Sequence, residues 1–216
     1  AKALEMYEKC LEINLKSLGP DHPSTATTYH EIGTVYAEQG ESAKALEMYE
    51  KSLEIKLKSL GPDHPHTATT YHSIGIVYND QGEYAKALEM YEKSLEIDLK
   101  SLGPDHPSTA TTYHSIGTVY RNQGESAKAL EMYEKSLEIK LKSLGPDHPE
   151  TGATYHQIGN VYAEQGEYAK ALEMYEKSLE IDLKSLFPDH PETAATYHQI
   201  GTVYAEQGES AKALEM

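Results

Sequence analysis

The sequence has little of what marks disulfide-bonded, membrane-spanning or nucleic-acid-binding proteins. Its 216 residues include no tryptophan and one cysteine, Cys10, so an intramolecular disulfide is excluded. No apolar run is long enough to span a bilayer, and no signal-peptide pattern is present. Lysine and arginine number 19 against 35 acidic residues, and the formal charge of −16 predicts neither nucleic acid nor a membrane as partner. A cytoplasmic location is expected.

Motifs for catalysis and cofactor binding are also missing. The sequence contains no phosphate-binding glycine loop, no G-x-S-x-G and no H-E-x-x-H. Histidine follows aspartate in each repeated loop, as in Asp21–His22, and the densest histidine group is His64, His66 and His72. These spacings cross a predicted helix start and form no compact metal-ligand set. We therefore predict no enzyme activity, cofactor or metal, and expect the loop histidines to hydrogen-bond at helix starts.

The sequence repeats itself with a period of 42 residues. The string AKALEM begins at residues 1, 43, 85, 127, 169 and 211, and GPDHP or FPDHP begins at 19, 61, 103, 145 and 187. Such a period indicates stacked supersecondary units. We predict a single array over 1–216, with complete repeats at 24–65, 66–107, 108–149 and 150–191. Partial repeats occupy 1–23 and 192–216, and because the sequence opens inside a helical pattern, we expect it to be part of a longer array.

Each repeat predicts two helices, shown here for 24–65. Helix A begins at Pro23, which suits a first helical turn, and ends at Gly40. Helix B follows from about Ser42 to Leu60, and its two apolar stripes require two neighbouring helices. Its opposite face carries glutamate–lysine pairs at i,i+4 spacing, which is typical of a solvent-exposed surface. The fold class is therefore all-α, built from antiparallel helix pairs.

The glycine between helix B and the next proline has two interpretations. A helix stop favours a left-handed glycine, whereas a residue before proline is pushed toward extended geometry. Phe187 replaces this glycine in one repeat, and a bulky residue strains a left-handed backbone. The substitution favours the extended interpretation for Gly61 and its equivalents; otherwise Phe187 is a weak point or an exposed anchor.

A group of large and small residues recurs in every complete repeat. In the first complete repeat these residues are Tyr29, Ile32, Gly33, Tyr36, Gly40, Ala45, Tyr49, Ser52 and Leu53. Their order and spacing resemble the tetratricopeptide pattern. The length of 42 and the LGPDHP loop are similar to the kinesin light chain and nephrocystin-3 repeat class. That resemblance implies a right-handed superhelix whose concave groove, lined by helix A, binds peptide segments. This sequence departs from kinesin light chains, which have groove asparagines where it has His30 and Glu31.

The near-identical repeats differ mainly along one stripe of helix A, at residues 24, 27, 31, 34 and 38 and their equivalents, and at the neighbouring position 37. In the tetratricopeptide pattern this stripe is the concave wall, which also includes an invariant histidine. The predicted groove residues are Thr27, His30, Glu31, Thr34, Glu38, Thr69, His72, Ser73, Ile76, Asn79, Asp80, Thr111, His114, Ser115, Thr118, Arg121, Asn122, His156, Gln157, Asn160, Glu164, His198, Gln199 and Thr202.

Two interpretations of this variation remain open, as do two functions. In the first, these positions vary because they are exposed and nothing packs on them. In the second, the stripe is a recognition surface whose residues are adapted repeat by repeat. The exposed face of helix B recurs almost unchanged, which favours recognition. We therefore expect a scaffold that binds a protein or peptide in the helix A groove. The alternative is a structural array that stacks end to end through its terminal helices.

Two further patterns predict electrostatic behaviour. One position alternates with a period of 84, as Lys56, Asp98, Lys140 and Asp182. We expect unlike charges beside one another there, with a small contribution to stacking register. The sequence also has 11 histidines, and protonation of all of them would change the formal net charge from −16 to −5. With a reference pKa of about 6.5, we expect greater self-association in mild acid.

Overall fold

The computed structural model describes residues 2–185 and 190–208, and over these residues it contains ten α-helices and no strand. The helices are α1 (Lys2–Ser17), α2 (Pro23–Glu38), α3 (Ser42–Ser59), α4 (Pro65–Asp80), α5 (Tyr84–Ser101), α6 (Pro107–Asn122), α7 (Ser126–Ser143), α8 (Pro149–Glu164), α9 (Tyr168–Ser185) and α10 (Pro191–Glu206). The even-numbered helices are helix A of their repeats, and the odd-numbered ones are helix B.

The chain divides into two compact units, Ala1–Pro104 and Asp105–Met216. In the first unit α1 packs on α2, α2 on α3, α3 on α4, and α4 on α5. In the second, α6 packs on α7, and the order continues in the same way to α10. Because short turns join helices that pack closely, the pairs are antiparallel, as predicted. The single array and the handedness of the superhelix stay predictions.

Each helix A begins at a histidine cap. The Nδ1 atom of His22 accepts a hydrogen bond of 3.1 Å from the backbone N–H of Ser24, and Pro23 occupies the first helical position. The same contact recurs at His64, His106, His148 and His190. A side-chain acceptor at this point satisfies a backbone N–H that has no partner within the helix. The prediction that the loop histidines hydrogen-bond at helix starts is confirmed.

The glycine before each loop proline is left-handed, so the extended interpretation is wrong. Gly61 has φ of 93°, and its N–H donates to the Lys56 carbonyl oxygen at 3.1 Å, which closes the end of α3. Glycine satisfies both requirements because proline disfavours only the α region for the residue before it, and glycine leaves that region through positive φ. A Cβ at Gly61 would meet nothing within 4 Å, so backbone conformation alone selects glycine. Phe187 lies outside the described residues.

The core of each repeat is a tyrosine of helix B packed on a glycine of helix A. A Cβ built on Gly33 would lie 2.8 Å from the Tyr49 ring, too close for any real side chain. Tyr49 and Ala45 form a buried cluster with Ile74 and Val77 of the next helix A. Helix B therefore has the two neighbours that its stripes predict, and the missing side chain of Gly33 allows the close approach of Tyr49.

The alternating charged position lies in the core and contacts threonine. Lys56 is 5% exposed, and its Nζ donates to Thr70 Oγ1 of the next helix A at 2.8 Å. Asp182 is 3% exposed, and its Oδ2 accepts a hydrogen bond of 3.2 Å from Thr196 Oγ1. Lys140 donates to Thr154 Oγ1 at 3.2 Å and also pairs with Glu150 Oε2 at 3.5 Å, so the recorded partners of these three charges lie on the following helix A. A contribution to stacking register stays a prediction.

Candidate functional site

All predicted groove residues lie on helix A, and none of them is fully buried. In the first unit they belong to α2 and α4, and in the second to α6, α8 and α10. The exposed ones are Thr27, Glu38, Thr69, Ile76, Asp80, Asn122, Glu164, His198 and Thr202. The half-buried ones are His30, Glu31, Thr34, His72, Ser73, Asn79, Thr111, His114, Ser115, Thr118, Arg121, His156, Gln157, Asn160 and Gln199. Such placement allows contact with a ligand.

In the second unit Arg121 connects α6 to α8. Its Nε and Nη2 atoms donate to Glu164 Oε1 at 2.9 and 2.6 Å, and its Nη1 donates to Gln157 Oε1 at 3.0 Å. The Arg121 side chain is 26% exposed, so this ion pair is screened less than a fully exposed pair. Because alanine or asparagine occupies the equivalent position elsewhere, this contact distinguishes the second unit.

Asn160 replaces a threonine and changes the contacts around a buried tyrosine. The Tyr175 hydroxyl donates to Asn160 Oδ1 at 2.8 Å, and the Asn160 amide donates to Gln157 Oε1 at 3.2 Å. The equivalent Thr118 hydroxyl lies 3.0 Å from the hydroxyl of Tyr133. Burial raises the pKa of Tyr175 to about 12, so its hydroxyl stays protonated as a hydrogen-bond donor at neutral pH.

The invariant histidines pack against the core tyrosines. The ring centroids of His30 and Tyr49 are 5.1 Å apart, as are those of His72 and Tyr91. Burial lowers the pKa of His30 to about 4, assisted by the Lys56 charge, and burial lowers that of His72 to about 4. The expectation that all histidines titrate in mild acid is therefore wrong, because desolvation disfavours the charged ring.

Two pockets open on the helix A surface of the second unit. The first, which we call the Asp182 pocket, has about 160 Å³ and is lined by Ala153, His156, Gln157, Asp182, Glu192, Ala195 and Thr196. The second, which we call the Arg121 pocket, has about 240 Å³ and is lined by Arg121, Asn160, Ala163, Glu164, Tyr175, Gln199, Thr202, Val203 and Glu206. Both combine apolar walls with polar groups, as ligand sites commonly do.

Sequence reasoning placed some of these lining residues on the stripe and missed others. It identified Arg121, Asn160 and Gln199, but did not select Tyr175 and Asp182, which belong to helix B. The alternation of lysine and aspartate was a usable signal for Asp182. Its meaning depends on the burial of that position, which a charged residue does not suggest.

The first unit presents a simpler surface. Ile76 of α4 is 41% exposed, and the Thr34 hydroxyl lies 3.1 Å from that of Tyr49. The Tyr7 hydroxyl donates to Glu31 Oε2 at 3.5 Å, which links α1 to α2.

Over residues 2–185 and 190–208, no group of three or more histidine, cysteine, aspartate or glutamate residues is arranged to hold a metal. Within the same ranges, no helix is long and apolar enough to cross a membrane.

The sequence profile of the tetratricopeptide repeat matches residues 1–58, 57–100, 67–142 and 119–184. The chain belongs to the tetratricopeptide repeat family. Tetratricopeptide proteins are in general scaffolds for protein interaction. No curated protein matches this one in sequence.

Solved tetratricopeptide-like structures resemble the chain. A kinesin light chain-like protein of Podosopora anserina with nearly identical TPR-like repeats is 29% identical, with a TM-score of 0.74 over 90% of this chain and 92% of that one. BtubC of P. vanneervenii is 18% identical, with a TM-score of 0.84 over 99% of this chain and 86% of that one. The apo form of RapI is 24% identical, with a TM-score of 0.74 over 88% and 66%. The last two show the fold alone.

Proposed function

We propose that the chain is a non-enzymatic scaffold that binds a peptide or protein segment along the helix A surface, chiefly that of α6, α8 and α10. The observation that supports this most is the coincidence of the two pockets with the positions that vary between repeats. Ala153 and Ala195 line one pocket, and Asn160 and Thr202 line the other. Repeat proteins generally bind partners through such surfaces. The acidic composition favours a protein partner over nucleic acid.

The chemistry of the surface suits an extended segment. The Arg121 pocket offers amide, hydroxyl and charged groups beside the Tyr175 ring. A bound segment would place polar backbone groups on the amides and one side chain in each pocket. Asn160 already makes hydrogen bonds of 2.8 and 3.2 Å in the free protein, so binding requires little further ordering of this side chain.

A peptide-display selection tests this proposal. Random linear peptides are selected on the whole chain, and the affinities of the selected peptides are measured by calorimetry. Asn160→Thr removes the amide but restores the residue present at Thr118, whose hydroxyl contacts its tyrosine, so the fold is retained. Arg121→Ala restores the alanine found at Ala163. We expect each change to weaken binding roughly tenfold.

The matched control is Lys135→Ala on the outer face of α7. Lys135 pairs with Glu131 at 2.7 Å, away from both pockets. Peptides whose affinity falls with Asn160→Thr and Arg121→Ala but not with Lys135→Ala support the proposal. Selected peptides that respond only to Lys135→Ala, or to none of the three, contradict it.

A second function, end-to-end self-association, is favoured by the exposed face of α1. Ile13 is 64% exposed, whereas the equivalent Ile55 of α3, a helix that packs on both α2 and α4, is 8% exposed. Met6 on α1 is also exposed. We propose that this face takes helix A of a second copy, which repeats the contact that helix B makes within the chain.

Sedimentation velocity over a wide range of protein concentration tests this second function. Stacking predicts species above 24.0 kDa whose proportion grows with concentration. Ile13→Lys places a charge on the apolar face, so only the 24.0 kDa species should be present at every concentration. A chain that stays at this mass without the substitution rules out stacking through α1.

A further inference from the structure

One buried position distinguishes the repeats of the second unit from each other. On α7 the Lys140 ammonium lies between α6 and α8, where it donates to Thr154 Oγ1 at 3.2 Å and to the Glu150 carbonyl oxygen at 3.3 Å. The ammonium of Lys56 makes the same contact with Thr70 at 2.8 Å in the first unit. Two repeats therefore fill this internal space with a lysine ammonium group.

At the equivalent position of α9 the residue is Asp182, and the space is open. Its Oδ2 accepts a hydrogen bond from Thr196 at 3.2 Å, and its Oδ1 faces Gly152, which has no side chain to offer. The volume left is the Asp182 pocket of about 160 Å³. A water molecule needs only about 10–15 Å³ measured in this way, so the pocket has room for a ligand larger than water.

Two further substitutions along the array accompany this pocket. Ala153 and Ala195 line it, and the three preceding repeats have threonine at that position. The smaller side chains widen the entrance between α8 and α10. The repeat of Asp98 and the one that follows it keep Thr69 and Thr111 at this position, so the two alanines set the surroundings of Asp182 apart from those of the other aspartate.

The Asp182 carboxylate has no cationic side chain bonded to it among the residues described. It is 3% exposed, and a buried charge without an opposite charge is costly. Burial raises its pKa, against the hydrogen bond from Thr196, and the nearby Glu192 adds to the rise. His156 on α8 also lines the pocket, and the charge of the capping His190 before α10 opposes the rise in the pKa of Asp182. An ammonium group would compensate the buried negative charge and offset the repulsion from Glu192.

We propose that the Asp182 pocket binds the alkylammonium group of a lysine side chain from the bound segment. The neighbouring repeats provide the precedent, since Lys56 and Lys140 place the same group against the equivalent threonine from inside the chain. The partner segment supplies from outside what α9 lacks. This inference rests on the proposed function and adds a lysine to the chemistry of its ligand.

Titration with n-butylammonium, which has the chemistry of a lysine side chain, tests the pocket without any peptide. Chemical shifts of the Thr196 and Ala195 methyl groups are followed by NMR in the whole chain, and 1-butanol serves as the uncharged control. We expect saturable chemical-shift changes with n-butylammonium, and an affinity for 1-butanol that is roughly tenfold lower. Equal responses to the two probes would overturn the proposal.

Two reciprocal variants use residues that the array already accommodates. Asp182→Lys fills the pocket with an internal ammonium, as in the two lysine repeats, and should abolish the response at Thr196. Lys140→Asp opens the equivalent space between α6 and α8 and should create a response at Thr154. Asp182→Asn keeps the shape and removes the charge, so an undiminished response in that variant would contradict a cation site.

The small-molecule titration separates this inference from the function on which it rests. If n-butylammonium fails to bind while selected peptides still respond to Asn160→Thr, the scaffold function stands and the lysine site is wrong. If n-butylammonium binds but no peptide can be selected, the pocket is a cation site and the peptide-binding function fails. Lysine-containing peptides that lose affinity with Asp182→Asn, beside a positive titration, support both.

Discussion

A uniform lysine position on the outer face of helix B and a variable position on the solvent-facing surface of helix A differ in how far their contacts reach. On helix B, Lys51 pairs with Glu47 at 2.7 Å, and the same local pair recurs at equivalent positions in α5, α7 and α9. On helix A, Arg121 reaches Glu164, 43 residues away, and no other repeat has an arginine there. Uniform local pairs support a helix but distinguish no partner, whereas contacts between helices that vary by repeat can do so.

Acid should reveal the largest difference between the two faces. Unfolded histidine has a pKa of 6.5, and burial lowers those of His30 and His72 to about 4, so the unfolded chain binds more protons between these values. Stability is therefore lost as the pH falls through this window. We expect the free energy of unfolding, from urea titrations, to drop by on the order of 5 kcal/mol between neutral pH and about pH 4.5.

The helix B face should contribute little to that loss. The pKa of Glu54 is lowered by its hydrogen bond and charge interaction with Lys58, so its contribution is lost only below its unfolded value of 4.5. His30→Gln, which introduces a neutral side chain, should reduce the acid loss by about 2–3 kcal/mol, and Glu54→Gln should leave it unchanged. If Glu54→Gln reduced the loss of stability in acid and His30→Gln did not, the comparison between the two faces would be reversed.

A smaller effect is expected where helix A contacts a buried tyrosine. Asn160→Ala leaves the Tyr175 hydroxyl without the partner that it now has at 2.8 Å. An unsatisfied buried hydroxyl costs about 1–3 kcal/mol, measured as a loss in the free energy of unfolding. Asn160→Thr should stay close to the unsubstituted chain, because Thr118 already makes this contact with Tyr133. Equal losses in both variants would show that helix packing, not the hydrogen bond, is responsible.

Features of the fold that depend on local interactions could be predicted from the sequence, whereas those that depend on neighbouring helices could not. Helix bounds and the nesting of Tyr49 on Gly33 were predictable, because caps and helical periodicity are local and repeat five times. The predicted conformation of Gly61 was wrong because the substitution of Phe187 for glycine in one repeat was given more weight than the preference of helix ends for a left-handed glycine. The Asp182 pocket was not predictable, because it depends on which neighbouring side chains leave space.

The smallest effect is expected on the outer face of helix B. Lys135 pairs with Glu131 at 2.7 Å, both side chains are largely exposed, and its Nζ lies 5.7 Å from the centre of the Tyr113 ring. An exposed i,i+4 pair contributes about 0.3–0.5 kcal/mol and an exposed cation–π contact about 0.5 kcal/mol. Lys135→Ala should therefore cost less than about 1 kcal/mol in urea unfolding, and the ion-pair part of that cost should shrink in high salt because surface charges are screened. A larger, salt-independent loss would mean that this face packs against something, and the contrast with the helix A surface would fail.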